Sequence, residues 1–434
     1  MIKRLRSLIR KHPWILKYKN SFSHIFEYFR IVRSTKKINR RIKKKTEKGQ
    51  KINVLFVCHR PAVWESLHSV FSSLQNDSRF KVLIVAIPNK KELPGLWFDH
   101  EIYETEGAEK FWEDYGCING YDYEKNTWLD LRTLEPDYVF FQQPYNVMRC
   151  SKYKSNVVAG YAKICFVPYG LQIIGDDVFE SVHPSDFIND LSFYFCPDSS
   201  IYSIMKNYLK KINNWGFTQI AVTGFPRFDQ YYKSTEKNGS AWKSEGKYRI
   251  LWTPRWCTNE GMSTFFLYKD NVIEYAKNNS DVEIVFRPHP QAFSEWELTG
   301  EMSKNEREEF FLQCYNAGIC IDVNGDYINT IMNADCFLTD ATSLMGEYFI
   351  TKKPIIYSFL YDKFTDIGNK LAKSFYYCNN WIEVENTIDM LKRGEDNKTN
   401  DRRVILSNNS DLFAFGAGER ILKVISNDAF GESS

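Results

Sequence analysis

Short apolar runs alternate with longer amphipathic stretches from residue 51 onward. The runs have the length and composition of buried strands, and strands that alternate with helices predict parallel sheets with right-handed crossovers. Strands are predicted at residues 52–58, 80–87, 137–141 and 163–167, with a helix at 63–74, and then at residues 249–254, 282–286, 318–322, 336–339 and 354–357. The pattern therefore predicts two successive Rossmann-like α/β units.

The restart of this pattern near residue 249 indicates where the domains divide. A chain of 434 residues is too long for one ordinary core. The polar stretch at residues 233–240, inside a seam at 225–247, has the composition of a flexible connection. We predict one domain over residues 51–230 and a second over residues 231–434, with the last helices able to cross back to the first domain.

The first 50 residues differ in charge from the rest of the chain. They hold 17 Lys and Arg against two Glu, whereas the whole chain has a net charge of +3, so the body is mildly acidic. Apolar residues recur among these charges at three- and four-residue spacing, which predicts a basic amphipathic helical arm. Such a helix commonly lies on an anionic membrane surface. The alternative is a helix that packs on the body with its charges solvated.

Several classes of protein are disfavoured. The arm lacks the continuous apolar region of a secretory signal, and no run of about 18 apolar residues could span a bilayer. No nucleic-acid partner is expected, because the body is acidic and no recognition motif follows the arm. The ten cysteines are scattered without a C-x-x-C pair, which indicates a reducing compartment and no zinc site. We expect a cytoplasmic protein that associates peripherally with the inner face of the cell membrane.

The common motifs of nucleotide chemistry are also missing. No G-x-G-x-x-G follows a strand, which disfavours dinucleotide redox chemistry, and no G-x-x-x-x-G-K-[ST] is present, which disfavours a P-loop. The chain has no D-x-D, a metal-chelating signature common in single-domain sugar transferases. We therefore expect neither a cofactor nor a metal ion.

Two polar segments follow predicted strands of the second half, where open α/β sheets bind ligands. Arg287 and His289 stand at the end of one strand, each next to a proline, and can meet a diphosphate. A protonated His289 could also neutralise the charge that develops during catalysis. Thr342 and Ser343 precede a predicted helix, whose free N–H groups favour anions. Asp340 could cap that helix or orient His289. The two segments predict a nucleotide-diphosphate site without a P-loop.

Two further residues extend this predicted site. Arg255 follows the strand that ends near Thr253 and would reach the phosphates or the nucleotide. Glu347 lies one turn beyond Ser343 and could accept hydrogen bonds from ribose or glycerol hydroxyls.

Five sequence blocks resemble, in order, those of the CDP-glycerol glycerophosphotransferases, the teichoic-acid and capsule primases and polymerases. The blocks are residues 224–229, 252–256, 287–290, 339–343 with Glu347, and 352–355, within roughly residues 160–360. The resemblance implies a GT-B-like fold, in which two Rossmann-like parallel-sheet domains face a cleft. It also adds Thr253, Gly224 and Arg227 to the donor side.

This resemblance further implies a reaction. Residues 231–434 would bind CDP-glycerol or a related CDP-polyol, and residues 51–230 would present an acceptor. A hydroxyl of a glycan or lipid-linked acceptor would attack the β-phosphorus and CMP would leave. Two alternatives stay open: a GT-B glycosyltransferase that uses a nucleotide sugar, and a catalytically silent scaffold that binds a nucleotide or glycan.

One departure from the family concerns the acceptor side. Family members carry a histidine before a glycine at the end of a strand in the first domain, where this chain has Tyr169 and Gly170. A phenol with a pKa of about 10 is a poor base at neutral pH. We expect His59, at the end of the first strand, to act as the base while Tyr169 positions the acceptor. His183, in a cluster with Asp176, Asp177 and Glu180, is the second candidate.

Overall fold

Two parallel β-sheets organise the chain. The computed structural model describes residues 19–91, 100–104, 109–175, 179–214, 217–233, 241–323 and 327–432. The first sheet has seven strands in the order β3-β2-β1-β6-β7-β8-β9, all parallel to their neighbours. Its strands are β1 Ile52–Cys58, β2 Phe80–Ala86, β3 Ile118–Asn119, β6 Tyr138–Phe141, β7 Lys163–Phe166, β8 Leu191–Cys196 and β9 Gln219–Val222. A short antiparallel hairpin, β4 Tyr121–Asp122 and β5 Thr127–Trp128, lies beside it.

The second sheet has six parallel strands in the order β12-β11-β10-β13-β14-β15. Its strands are β10 Tyr248–Thr253, β11 Val282–Phe286, β12 Cys320–Ile321, β13 Cys336–Thr339, β14 Ile355–Ser358 and β15 Tyr376–Cys378. In both sheets the strand order reverses beside the first strand, which opens a crevice at the carboxyl ends where such sheets bind ligands.

Seventeen α-helices surround the sheets in the described part of the chain. They are α1 Lys19–Glu47, α2 Glu65–Asn76, α3 Glu109–Trp112, α4 Ser155–Val158, α5 Ser185–Ile188, α6 Ser199–Lys211, α7 Arg227–Lys233, α8 Phe265–Asn278, α9 Ala292–Thr299, α10 Lys304–Asn316, α11 Ile328–Asn333, α12 Leu344–Tyr348, α13 Asp366–Ala372, α14 Trp381–Lys392, α15 Thr399–Asn408, α16 Ser410–Phe413 and α17 Ala417–Phe430. Helices cover both faces of each sheet, so its strands are buried on both sides.

The predicted α/β fold with parallel sheets is confirmed. Every predicted strand is present with ends shifted by at most two residues, and the helix predicted at residues 63–74 spans Glu65–Asn76. Strands β3, β8, β9 and β15 and the hairpin were not predicted from the sequence. The polar connection at residues 234–240 lies outside the described residues.

Alternate residues of the central strand β1 enter different cores, as the two-residue period of a strand requires. Val54 and Phe56 belong to an apolar cluster that also contains Ile421 and Ile425 of α17. Leu55 belongs to the cluster on the other face. The last helix of the chain therefore packs on the first sheet and ties the chain's end to its first domain.

The junction between the sheets is fixed by residues 224–229. Gly224 has a φ of +82°, and a Cβ there would lie 2.7 Å from a guanidinium nitrogen of Arg420. Asp229 is 2% exposed and accepts hydrogen bonds from the backbone N–H groups of Gly416, Ala417 and Gly418 at 2.7–3.0 Å. This sequence block therefore holds the start of α17 against the junction.

Helix α1 carries the second half of the basic arm, and the body holds that half. Ile38 and Ile42 are buried in the cluster that faces α17. Arg41 and Lys45 pair with the buried carboxylate of Asp137, at 3.0 and 2.6 Å. These turns of α1 pack on the body, which was the alternative to membrane contact that the sequence left open for the arm. Residues 1–18 lie outside the described residues. None of the described helices is long and apolar enough to cross a membrane.

Candidate functional site

The cleft between the sheets collects polar residues from strand ends of both halves. His59 and Arg60 follow β1, and Arg255 and His289 follow β10 and β11. The charges of Arg60 and Arg255 both act on the His289 ring and lower its pKa. Arg60 of the first half and Gln291 of the second line the same cavity, so the two sets of strand ends face each other.

His289 is exposed at the mouth of this cleft. Its ring stacks on Trp256 with centroids 5.3 Å apart, and its Nδ1 accepts a hydrogen bond from the backbone N–H of Gln291 at 3.2 Å. Desolvation by the surrounding protein, with Arg60 and Arg255, lowers the pKa of His289 to about 4. Solvent in the open cleft weakens the desolvation, but both arginines act in the same direction. The ring is therefore neutral at pH 7 and presents Nε2–H as a donor, which differs from the protonated histidine that the sequence suggested.

Arg255 is held in place by Asp340. The buried Asp340 carboxylate accepts hydrogen bonds from Arg255 N at 2.5 Å and from the backbone N–H and hydroxyl of Thr264 at 2.6 and 2.9 Å. Burial raises the pKa of Asp340 to about 6, against the opposing effect of these bonds. The Arg255 side chain pairs with Glu260 and donates to the Ala341 carbonyl at 2.9 Å. Asp340 thus positions the loop that carries Arg255. This corrects the expectation that Asp340 binds the donor, caps the helix after Ser343 or orients His289.

The hydroxyl residues of this region differ in their availability. Thr253 is 4% exposed, and its hydroxyl has no hydrogen-bond partner among the described residues. Thr342 is half-buried and Ser343 is exposed, and α12 begins immediately after them at Leu344. Thr342 and Ser343 therefore stand at the helix start that the sequence predicted, with side chains open to the cleft or to solvent.

Arg287 makes contacts within its own domain. Its guanidinium pairs with Asp322 at 2.9 Å and lies over the Tyr327 ring, 4.2 Å from the centroid. Asp322 is 1% exposed, so the pair is largely shielded from water. The charge that was expected to meet a diphosphate is thus already compensated by a carboxylate.

Glu347 and Arg227 form a buried ion pair at 2.7 Å. Glu347 also accepts hydrogen bonds from the hydroxyls of Tyr231 and Tyr327, at 2.8 and 3.1 Å. Both carboxylate oxygens are therefore occupied by protein donors, and Glu347 is 3% exposed. The expectation that Glu347 contacts ribose or glycerol is corrected, as are the donor-binding roles expected for Arg227 and for Gly224, which packs against Arg420.

The acceptor side contains a pair of phenols. The hydroxyls of Tyr145 and Tyr169 lie 3.2 Å apart, and Tyr169 is half-buried. Burial and the neighbouring Tyr169 raise the pKa of Tyr145. A Cβ added at Gly170 would meet no atom within 4 Å, so the backbone beside Tyr169 faces open space. This arrangement can orient a hydroxyl group that enters from the cleft.

His59 is part of the framework of the first domain. It is 3% exposed, and its Nε2 donates a hydrogen bond to Gln143 Oε1 at 3.0 Å. Burial first, and then the nearby charges of Arg149 and Arg60, lower its pKa to about 3. A histidine with this pKa is a weak base at neutral pH. The expectation that His59 is the general base is therefore corrected.

His183 is likewise a core residue. It is 6% exposed, its Nδ1 lies 2.7 Å from the Phe179 carbonyl oxygen and its Nε2 lies 2.7 Å from the Tyr194 hydroxyl. Burial lowers its pKa to about 4. Both ring nitrogens are satisfied within the first domain, so His183 does not act on an acceptor. Asp176 and Asp177, expected in the same cluster, lie outside the described residues.

Arg60 was not predicted from the sequence. This half-buried residue borders a cavity of about 170 Å³, which is also lined by His59, Asn89, Lys90, Glu104 and Met148 of the first half and by Gln291 of the second. Its position directly after β1 is the same signal that singled out Arg255 and His289. Within the described residues, no group of three or more His, Cys, Asp or Glu side chains could hold a metal ion.

Comparison with known families finds one match. A model described as CDP-Glycerol:Poly(glycerophosphate) glycerophosphotransferase matches residues 198–426, more than half of the chain. This confirms the resemblance noted in the sequence blocks. No curated protein sequence matches the chain.

Solved structures match over nearly their whole length. The wall teichoic acid polymerase TagF is 13% identical, with a TM-score of 0.53, over 93% of this chain and 98% of that chain. Staphylococcus aureus MnaA with UDP is 14% identical, with a TM-score of 0.56, over 88% and 99%. Neisseria meningitidis UDP-GlcNAc 2-epimerase bound to UDP-GlcNAc is 12% identical, with a TM-score of 0.56, over 87% and 99%. At these identities the likeness shows the shared fold, the GT-B arrangement of two Rossmann-like domains.

Proposed function

The chain belongs to the CDP-glycerol:poly(glycerophosphate) glycerophosphotransferase family, and from this premise we propose that it transfers glycerol phosphate from CDP-glycerol to a hydroxyl of a glycan or lipid-linked acceptor. The observation that supports this most is the cationic cleft, where Arg60, Arg255 and His289 follow strand ends of the two sheets and Arg60 lines a cavity with Gln291. The new bond joins the acceptor oxygen to the β-phosphorus, and the bond from that phosphorus to the CMP oxygen breaks. CMP leaves with the electron pair, and the proton of the acceptor hydroxyl passes to solvent.

The donor side supplies charge and hydrogen bonds to the diphosphate. Phosphoryl transfer passes through a loose transition state in most analyses, so positioning and electrostatic stabilisation supply most of the catalysis. Arg255, held by Asp340, supplies a positive charge that only the solvent-exposed Glu260 offsets, and neutral His289 supplies Nε2–H. The open hydroxyls of Thr342 and Ser343 can donate to phosphate or nucleotide oxygens, whereas the Thr253 hydroxyl is buried.

The acceptor side supplies orientation. A loose transition state does not require a strong base, because the acceptor hydroxyl loses its proton late. The hydroxyls of Tyr145 and Tyr169 lie 3.2 Å apart, and this pair can hold the acceptor by accepting a hydrogen bond from its hydroxyl. Gly170 leaves room beside the pair for the bulk of the acceptor. This assigns to Tyr169 the positioning role expected from the sequence and leaves His59 to the framework.

The arm suits an acceptor that is embedded in a membrane. Residues 1–29 carry seven Lys and Arg against one Glu, and each such charge contributes about 1 kcal/mol near an anionic leaflet. Helix α1 would bring that charge to the first domain, which presents the acceptor side of the cleft. We therefore propose peripheral association with the cytoplasmic face of the cell membrane.

A donor panel tests the proposed reaction. The purified protein is incubated with a soluble acceptor analogue and with CDP-glycerol, CDP-ribitol or a UDP-sugar, and release of the nucleotide product is measured. We expect CMP release from CDP-glycerol and binding of the same donor by calorimetry. Turnover of a UDP-sugar alone would identify a glycosyltransferase, and donor binding without turnover on any acceptor would identify a scaffold.

A further inference from the structure

We propose that Arg60 is a catalytic residue that binds the β-phosphoryl group of the donor from the acceptor side of the cleft, a role that presupposes the transfer reaction proposed above. Arg60 belongs to the first domain, whereas the other candidate phosphate ligands belong to the second. A donor that bridges the two would therefore place its transferring group between the domains.

The position of Arg60 supports this role. It lines one cavity with Gln291, whose backbone N–H donates to Nδ1 of His289 on the donor side. Its charge also acts on Tyr145, whose hydroxyl lies 3.2 Å from that of Tyr169 on the acceptor side. Arg60 thus lies near both the groups that would hold the diphosphate and the phenols that would hold the incoming hydroxyl. The transferring phosphorus must pass between the same two sets of groups.

Among the described residues Arg60 has no ion-pair partner, unlike its neighbours. Arg255, Arg287 and Arg227 each pair with a carboxylate. Arg60 is half-buried beside the 170 Å³ cavity. Glu104 lines the same cavity, but its carboxylate accepts a hydrogen bond from the Asn89 amide at 3.2 Å and forms no ion pair with Arg60. A partly desolvated cation without an ion-pair partner at a cavity wall favours an anionic ligand.

The backbone of Arg60 is fixed by the end of β6. The Gln142 side chain, 1% exposed, accepts hydrogen bonds from the N–H groups of His59 and Arg60 at 2.8 and 2.9 Å. Its amide nitrogen donates to the Arg60 carbonyl at 3.0 Å. Three hydrogen bonds from one buried side chain hold the loop without a ligand. Catalytic charge is most effective when it is preorganised in this way.

A guanidinium suits the chemistry at this point. The transferring phosphoryl group spreads its charge over its equatorial oxygens, and the planar fork of arginine can donate to two of them at once. CMP, the leaving product, lacks the β-phosphoryl group. Arg60 should therefore distinguish CDP-glycerol from CMP, whereas a residue that contacts the nucleotide or its own phosphate should not.

The experiment compares the wild-type protein with Arg60→Gln and with Arg403→Gln. Arg403 is an exposed arginine of α15, so its substitution makes the same change of charge far from the cleft. Binding of CDP-glycerol and of CMP is measured by calorimetry, and CMP release is measured with a soluble acceptor. For Arg60→Gln we expect CDP-glycerol to bind about tenfold more weakly, CMP to bind unchanged, and kcat to fall about 10²–10³-fold. Arg403→Gln should match the wild-type protein.

Each other outcome has a defined meaning. Equal weakening of CMP and CDP-glycerol binding by Arg60→Gln, or wild-type turnover, would overturn the role of Arg60. If the wild-type protein itself fails to bind CDP-glycerol, the proposed reaction fails before Arg60 is tested. Should Arg60→Gln not fold, Arg60→Lys keeps the charge but loses the fork. It is expected to retain donor binding with a kcat reduced at least tenfold, and an unchanged kcat would overturn the proposal.

Discussion

At the scale of single residues, charge compensation separates the polar groups of the cleft. The carboxylates of Glu347 and Asp322 neutralise Arg227 and Arg287, and both pairs are buried. Breaking a buried pair of this kind typically costs 3–5 kcal/mol, because one charge is left without a partner. These arginines therefore maintain the shape of the site, while the less compensated groups are available to a ligand.

The neutral state of His289 gives a prediction about pH. Its pKa is lowered to about 4, so the ring is uncharged throughout pH 6–8 in the free protein. The pH profile of kcat/KM, which reports the free enzyme, should be flat across this range as far as His289 is concerned. His289→Ala should lower kcat about 10²–10³-fold at every pH in the range, because one preorganised donor is lost. A tenfold fall per pH unit above 6.5 that His289→Ala removes would show that the cation is required.

The buried His183 gives a prediction about stability. Its folded-state pKa is about 4, below the unfolded value of about 6.5. Between these two pH values the unfolded chain therefore binds a proton at His183 that the folded chain does not. This contribution to stability is present above pH 6.5 and is lost as the pH falls toward 4. Between pH 7 and 5 the free energy of unfolding falls by about 2 kcal/mol through this group.

His183→Phe should remove this part of the pH dependence. Urea unfolding at pH 7 and pH 5 would then show a smaller loss of stability in the variant than in the parent protein. The comparison is made between the two proteins, because Asp340, with its pKa raised to about 6, titrates with the opposite sign in both. An equal loss in the two proteins would contradict a lowered pKa at His183.

At the scale of elements, the apolar pattern of the sequence was sufficient to predict the central strands of each sheet but not the strands at the sheet edges. β1 and β11 are continuous apolar runs because helices cover both of their faces, and their predicted bounds match the structure. β9 has no fully buried residue, so its sequence lacks such a run. The partners of Glu347 and Asp229 come from distant parts of the chain, and no local pattern reveals such contacts. The motif residues were therefore easier to find than their roles.

The packing of α17 on α2 gives a prediction at this scale. A Cβ added at Gly418 would lie 2.6 Å from the backbone oxygen of Ser69, so the helices touch through backbone. Gly418→Ala must push the helices apart and should destabilise the protein by about 1–3 kcal/mol, as overpacking usually does. Lys423→Ala, on the exposed side of the same helix, is the matched control and should have little effect. Denaturant unfolding measures both, and equal stabilities would show that the helices do not pack this closely.

At the scale of the whole molecule, the chain passes between the two halves more than once. It crosses from β9 to the second sheet and returns in α17, while Arg60 and His289 approach each other across the cleft. The family match at residues 198–426 covers the second sheet and most of α17, but it begins after β8. The first sheet with its acceptor side therefore lies mostly outside the matched region, which explains why the acceptor residues were the hardest to predict from sequence.

The basic arm gives the last prediction, in which two truncations should behave differently. Removing residues 1–29 takes away seven of the arm's cations but keeps Ile38, Ile42 and the ion pairs of Arg41 and Lys45. This protein should fold and turn over a soluble acceptor like the full chain, and it should lose binding to anionic liposomes. Binding of the full chain should weaken steeply with salt, because surface charges are screened.

Removing residues 1–50 instead should destabilise the first domain. The Asp137 carboxylate is fully buried and would lose both cationic partners, and an uncompensated buried charge costs about 3–5 kcal/mol. The apolar surface under Ile38 and Ile42 would also become exposed to water. Thermal unfolding of the two truncated proteins beside the full chain measures this difference. Equal stability of all three would show that α1 is not part of the fold, and liposome binding by the shorter truncation would place the membrane contact outside residues 1–29.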